Sequence, residues 1–181
     1  PTVPPRVSVV ATRMGYLFLQ EGEPEVATEF FERAIKASKG GANRARQGVA
    51  QIALAKGEYD RAMAISADAI RRGEFKAKTL PAWVTLISAR RQLGGWRISD
   101  RLIKGLDSAP APLRARTILT IVAELRKNDM RQWREISERW LGREGHKFPV
   151  IAAELHKMTL ASVKMEPGNA AKKRAVAKQL L

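Results

Sequence analysis

Few residues of this sequence have the types and spacings that catalysis requires. The histidines are His146 and His156, and neither has the cluster of histidine and carboxylate partners that a metal site needs. Glu135 and Glu138 form a carboxylate pair, but they lie among arginines on one predicted helix, as ion-paired surface charges do. The sequence therefore predicts a protein that is not an enzyme and that uses no metal and no cofactor.

No motif presents a nucleophile or holds a phosphate group. The chain has no cysteine, which excludes disulfides, thiolate zinc sites and cysteine nucleophiles. It has no Gly-x-Ser-x-Gly turn, and Gly40-Gly41 and Gly94-Gly95 lack both the Lys-Ser ending and the preceding strand of a phosphate loop. The absence of cysteine fits a reducing compartment such as the cytoplasm, although exported proteins can lack cysteine too.

The whole chain has a net charge of +15, and the positive charge is concentrated in its second half. Residues 1–70 hold 9 Lys/Arg and 8 Asp/Glu, whereas residues 71–181 hold 24 and 10. This asymmetry indicates an anionic partner, with a merely solvated basic surface as the alternative. The candidate polyanion-binding residues are Arg71, Arg72, Arg90, Arg97, Arg101, Arg131, Arg134, Lys172, Lys173 and Arg174.

An internal repeat predicts the elements that position these residues. A shift of 35 residues aligns the first two segments without a gap. The matched positions are Gly15 with Ala50, Leu19 with Leu54, Gly22-Glu23 with Gly57-Glu58, Ala27 with Ala62 and Ala34-Ile35 with Ala69-Ile70. Each segment has apolar residues at helical spacing on both sides of a glycine turn, which predicts a pair of amphipathic helices.

Later segments continue the plan with weaker matches. The predicted helix pairs occupy approximately residues 6–40, 42–74, 79–109, 112–144 and 148–181. The third pair combines a helix from Leu80 to Leu93 with one from Trp96 to Leu106, and the fifth ends with a helix from Asn169 to Leu181. No segment alternates apolar and polar residues as a strand does, so the prediction is an all-α protein without a β-sheet.

The small residues of the first two units resemble the pattern of the tetratricopeptide repeat (TPR) family. That pattern places small residues where two helices approach closely, at Gly15, Ala27 and Ala34 and at their repeats. The match is degenerate, because the bulky position of the second helix is Phe31 in one unit and Ser66 in the next. The resemblance implies a single domain over residues 1–181, a right-handed α-solenoid of four to five antiparallel helix pairs. It also implies a scaffold for protein–protein interaction.

In the TPR family the first helix of each pair lines a concave groove that holds a peptide or a partner helix. The candidate groove residues are Tyr16, Gln20, Arg44, Gln47, Gln51, Ser88, Arg91 and Arg126. A groove of this composition suits an amphipathic or acidic peptide, although Val84, Ile118 and Val122 on the same faces could instead pack internally. Thr12 and Tyr16 replace the lysine and asparagine of the family's carboxylate clamp, so we expect no binding of chaperone tails by that mechanism.

Nucleic acid is the alternative partner. Residues 83–94 are similar to the first helix of a pentatricopeptide repeat, a family that binds single-stranded RNA. Trp96, Trp133 and Trp140 could stack on bases, but Trp133 and Trp140 are seven residues apart, which is ordinary core spacing on one helix face. No apolar run reaches the length of a membrane span, so we expect no transmembrane segment in this chain.

Overall fold

A computed structural model of the chain describes residues 5–38, 42–72 and 79–162. All regular structure in these ranges is helical and no strand occurs in them, which confirms the all-α prediction there. The chain divides into two compact units, Pro1–Ala109 and Pro110–Leu181. The division falls at the predicted end of the third helix pair, and the single repeat domain stays a prediction.

Unit 1 contains six described helices, of which the first four each pack against the next one in the sequence, whereas the sixth packs against the fourth. They are α1 (Pro5–Gln20), α2 (Pro24–Ala37), α3 (Asn43–Ala55), α4 (Tyr59–Arg72), α5 (Leu80–Gln92) and α6 (Asp100–Gly105). In addition, α3 packs against both α1 and α5. The turns after α1 and α3 require glycine, because Gly22 and Gly57 have φ of +81° and +79°.

A large ring fills the space between three helices of unit 1. Phe31 of α2 is fully buried, and its ring lies where a Cβ atom on Gly15 of α1 or Gly48 of α3 would overlap it. The repeated small residues Ala27, Ala34, Ala50, Ala62 and Ala69 are also buried. The 35-residue pattern therefore marks helix–helix contacts, as close packing of small residues requires.

The predicted helix from Trp96 to Leu106 is wrong in its first half. Residues 95–99 are not helical, α6 starts only at Asp100, and a 3-10 turn at Leu106–Ser108 follows it. Two tertiary interactions hold the nonhelical segment: Ile98 is buried, and the Arg90 Nε group donates a hydrogen bond to the Arg97 carbonyl at 3.3 Å. These contacts outweigh the modest helix propensity of this segment.

Unit 2 contains three described helices with a core of their own. They are α7 (Ala111–Lys127), α8 (Gln132–Glu144) and α9 (Pro149–Ser162). Trp133 and Trp140 are buried in this core, as their spacing predicts. The predicted helix from Asn169 to Leu181 lies outside the described residues, and none of the described helices is long and apolar enough to cross a membrane.

Candidate binding cavity

A cavity of about 980 Å³ lies between α4, α5, the segment 97–99 and α6 of unit 1. Its inner wall is mainly apolar and is formed by Met63, Ala67 and Ile70 of α4, Leu86 of α5 and Leu102 of α6. Ile70 and Leu86 are buried, whereas Met63, Ala67 and Leu102 keep partial exposure. The volume is at the upper end of the range of small-molecule pockets, about 300–1,000 Å³, and it suits a bulky apolar group.

Four candidate polyanion-binding arginines line this cavity: Arg71, Arg90, Arg97 and Arg101. Asp100 is the acidic residue among the lining residues that the structure describes. The cavity therefore combines an apolar wall with an excess of positive charge. The fold brings its four arginines together from three different parts of the sequence. A ligand that complements it carries both apolar groups and negative charge.

The arginines differ in how far their charges are already compensated. An Arg71 nitrogen lies 3.8 Å from a carboxylate oxygen of Asp68, and an Arg97 nitrogen lies 3.4 Å from one of Asp100. In both pairs the partners are three residues apart in the sequence and partly exposed, so their mutual attraction is weak. Arg101 is exposed and makes no ion pair or hydrogen bond to the described part of the chain, which leaves its charge available for a ligand.

Arg90 is fixed in the cavity wall by the turn beside it. Its side chain occupies the space that a Cβ atom on Gly95 would need, and its carbonyl accepts a hydrogen bond from the Gly95 N–H at 2.9 Å. Together with the bond from Nε to the Arg97 carbonyl, this arrangement joins α5 to the nonhelical segment. Gly95 is therefore part of the geometry of the cavity, although it has no side chain.

A large aromatic side chain stands beside the cavity on the same nonhelical segment. Trp96 is 58% exposed, and the Arg97 guanidinium lies 5.5 Å from the centroid of its ring. Exposed tryptophans with a neighbouring arginine are typical of residues that contribute most to protein–protein binding. Trp133 and Trp140 are buried, so of the three tryptophans considered for base stacking Trp96 alone is accessible.

The predicted concave groove is only partly brought together. The Tyr16 hydroxyl donates a hydrogen bond to the Arg44 carbonyl at 2.9 Å, and the Arg44 guanidinium lies 5.1 Å from the Tyr16 ring centroid. Gln20 and Arg91 are exposed, and Gln51 and Ser88 are half-buried. Arg126 is exposed on α7 of unit 2, so these residues stay candidates in two separate units.

Gln47 must be corrected, because it does not face a groove. Its side chain is 5% exposed, and its amide nitrogen donates hydrogen bonds to the Thr85 hydroxyl at 2.7 Å and the Pro81 carbonyl at 3.1 Å. It therefore joins α3 to α5 from inside unit 1. Ile118 and Val122, which were weighed as either groove or core, are buried in unit 2.

The remaining described polyanion candidates belong to two different units. Arg72 is paired with Asp68 at 2.9 Å. Arg131 and Arg134 are exposed in unit 2, where the Arg134 guanidinium lies 5.4 Å from the Trp133 ring centroid. Lys172, Lys173 and Arg174 lie outside the described residues.

The described residues contain no group of three or more His, Asp or Glu side chains that could hold a metal ion. The apolar wall of the cavity was not predicted, since Met63 and Ala67 look like ordinary helix residues in the sequence. The feature of the sequence that could have indicated this wall is the presence of small and apolar residues on the outer face of the predicted helix α4. Comparison of the chain with protein-family models, with curated proteins and with solved structures finds no match.

Proposed function

We propose that this protein is a non-enzymatic interaction module that binds an acidic, partly apolar segment of a partner protein in the cavity between α4, α5 and α6. The observation that carries the proposal is the combination, in one cavity, of an apolar wall with four arginines and, among the described lining residues, one acidic residue. The wall removes apolar side chains from water, and the arginines form charge-assisted hydrogen bonds with carboxylates.

An acidic, partly apolar protein segment complements both the arginines and the apolar wall of the cavity, whereas a nucleic acid complements mainly the arginines. A polynucleotide has a phosphate at every residue but no aliphatic side chains to cover Met63, Ala67 and Leu102. The exposed Trp96 is the feature that favours RNA, because an aromatic ring can stack on a base. RNA binding is therefore the second candidate function, and the experiment includes it.

The test is a titration of the full chain with labelled peptides, followed by fluorescence anisotropy. The first peptide combines glutamates with leucines, the second replaces its leucines with serine, and the third replaces its glutamates with lysine. We expect measurable binding of the first peptide and at least about tenfold weaker binding of the other two. Equal binding of the first two peptides would show that the apolar wall has no role, and would contradict the proposal.

A charge-reversal variant locates the binding. Arg71→Glu combined with Arg101→Glu places two acidic groups at exposed positions of the cavity rim, so we expect the acidic peptide to lose about tenfold or more in affinity. The matched control is Arg13→Glu with Lys36→Glu, which makes the same change of charge at exposed positions on α1 and α2. If both variants weaken binding equally, the attraction comes from overall charge and not from the cavity.

A single-stranded RNA of mixed sequence is titrated alongside the peptides at low and moderate salt. Electrostatic binding is strongest at low salt, so RNA binding that exceeds peptide binding there, and that Arg71→Glu with Arg101→Glu abolishes, would replace the protein partner by a nucleic acid. Binding of the acidic peptide alone supports the proposal.

A further inference from the structure

The short helix α6 leaves the third helix pair incomplete. The second helices of the first two pairs, α2 and α4, have 14 residues each, whereas α6 has 6. The 35-residue repeat aligns Tyr59, the first residue of α4, with Gly94, but α6 starts at Asp100. At a rise of 1.5 Å per residue, about 9 Å of helix, or somewhat under two turns, is therefore absent from this pair.

The preceding pair provides an internal comparison for the cavity. A cavity of about 380 Å³ lies between α2, α3 and α4, and Ile35 and Ala64 line it. These residues match Ile70 and Ser99 of the larger cavity at the same offset of 35 residues. The two cavities are thus equivalent places in successive pairs. The one beside the short helix is more than twice as large, about 980 Å³ against about 380 Å³.

A helix suits the enlarged cavity better than an extended chain. The backbone groups in the middle turns of a helix are already hydrogen-bonded to one another, so these turns can cover the apolar side chains of Met63, Ala67 and Leu102 without leaving polar groups unpaired. An extended peptide needs donors and acceptors from the surface that it covers, and apolar side chains offer none. The arginines at the rim favour a partner helix that carries carboxylates beside its apolar stripe.

We infer that the partner segment binds as an amphipathic helix, about two turns of which take the place of the missing turns of the third pair. This inference rests on the proposed function and specifies its ligand. The inner face of the partner helix carries leucine-sized side chains three and four residues apart, and carboxylates flank this stripe on the sides that face Arg90 and Arg101. The partner thereby completes a helix pair that the chain itself leaves open.

The experiment titrates the full chain with two peptides of the same length that differ in their ability to form a helix. One acidic leucine-containing peptide is fixed as a helix by a side-chain lactam on its outer face. In the other, two central residues are replaced by proline, which breaks the helix. The expected result is about tenfold or greater preference for the helical peptide, since it avoids the cost of ordering and of unpaired backbone groups. Equal affinity of the two peptides would overturn the helical mode and leave the proposed function standing, whereas failure of both to bind would overturn both.

A second variant tests the place of binding. Ala67→Phe puts a ring onto the half-buried wall of the cavity, and we expect it to weaken binding of the helical peptide by about tenfold or more. The matched control is Ala55→Phe at an exposed position at the end of α3. Far-ultraviolet circular dichroism checks that both variants keep the wild-type helix content. Unchanged affinity in a folded Ala67→Phe protein would exclude the cavity as the binding site of the peptide. If Ala67→Phe does not fold, the Arg101→Glu substitution at an exposed position of the rim tests the same site, and unchanged affinity would exclude it in the same way.

Discussion

Single side chains join helices within each unit, and Tyr16 is a clear case. Its ring packs edge-on against Phe31 with centroids 5.0 Å apart, and its hydroxyl donates to the carbonyl of Arg44 on α3. Burial raises the pKa of Tyr16 above its ordinary value, while the charge of Arg44 acts in the opposite direction. A residue predicted as a binding-groove position therefore also contributes to the packing of α1 against α3.

We expect Tyr16→Phe to lower the free energy of unfolding by about 1 kcal/mol or less, the usual net value of one hydrogen bond. It should also reduce the loss of stability in alkali. Because the folded state holds the tyrosine proton more tightly than the unfolded state does, Tyr16 stabilises the fold below its ordinary pKa of about 10 and loses that contribution as the pH rises through the folded pKa.

Urea unfolding at neutral pH and at about pH 10–11 measures both effects. Tyr59→Phe in α4 is the control, because it removes the same hydroxyl from a position outside this hydrogen bond. An equal alkaline loss of stability in the wild type and in Tyr16→Phe would contradict the role given to Tyr16.

An ion pair joins two helices of unit 2. Two nitrogens of Arg114 lie 2.9 and 3.2 Å from one carboxylate oxygen of Glu144, and the side chains are only 17% and 9% exposed. Neither partner was predicted from the sequence, because 30 residues separate them and nothing local indicates the contact. The pair shows that some basic residues of the second half serve packing and not ligand binding.

Glu144→Leu should lower the free energy of unfolding by about 3 kcal/mol, because it removes the carboxylate that faces the largely buried Arg114 charge. The double variant Arg114→Met with Glu144→Leu should recover most of that loss, since the buried charge is removed together with the carboxylate. Urea unfolding of the two single variants and the double variant forms a double-mutant cycle. Simple additivity of the two single effects would show that the pair is not coupled.

At the scale of the elements, the bounds of regular helices were predictable from the sequence, whereas the nonhelical segment before α6 was not. Within the predicted pairs, apolar spacing places helices over residues 59–72, 80–93 and 112–127. The first agrees with α4, and the other two differ from α5 and α7 by one residue at one end, because apolar spacing with glycine or proline at the ends is a local signal. The start of α6 was mispredicted because the burial of Ile98 and the bond from Arg90 to the Arg97 carbonyl are tertiary contacts.

The binding site was predictable in the same partial way. Arg71, Arg90, Arg97 and Arg101 were recognisable as basic candidates, but their meeting in one cavity depends on the short α6. Gln47 was misplaced for a related reason: a polar residue near a predicted groove looks accessible until its partner, Thr85, is known. Periodicity shows which face of a helix is apolar, and it does not show which polar residue is covered by the next helix.

The contact of Phe31 with Gly48 gives a prediction at the scale of helix packing. Gly48→Ala should lower the free energy of unfolding by about 1–3 kcal/mol, because the added methyl group overlaps the Phe31 ring and overpacks the contact. This cost exceeds the gain of up to about 1 kcal/mol that alanine brings to a helix interior in place of glycine.

Gly142→Ala in α8 is the matched control, because nothing lies within 4 Å of a Cβ atom at that exposed position. We expect it to stabilise the protein by about 0.5–1 kcal/mol. Thermal or urea unfolding measures both substitutions. Stabilisation by Gly48→Ala would show that α2 and α3 are not in tight contact at Phe31.

At the scale of the whole molecule, the cavity and its supporting helices lie within Pro1–Ala109. This unit has its own buried clusters, one of them around Phe31 and another around Ala53, Ala62 and Ala89. The proposed binding function therefore needs only the first unit. The basic residues of the second unit are not part of the proposed site.

A fragment of residues 1–109 should consequently fold and bind the acidic helical peptide with an affinity within about threefold of the full chain, a free-energy difference below about 1 kcal/mol. Circular dichroism and urea unfolding test its folding, and the anisotropy titration tests its binding. A fragment that unfolds cooperatively but does not bind the peptide would place part of the site in the second unit.

The burial of Phe31 against Gly48 also has an evolutionary consequence. The 35-residue offset takes Phe31 to Ser66 and Gly48 to Trp83, and Ser66 and Trp83 are both fully buried. The large and the small residue have thus exchanged helices between successive repeats. In diverging descendants of this chain, positions 31 and 48 should change together, and positions 66 and 83 likewise, because a change at one alone leaves either an overlap or a void. Such paired changes would record the packing of these helices in sequences alone.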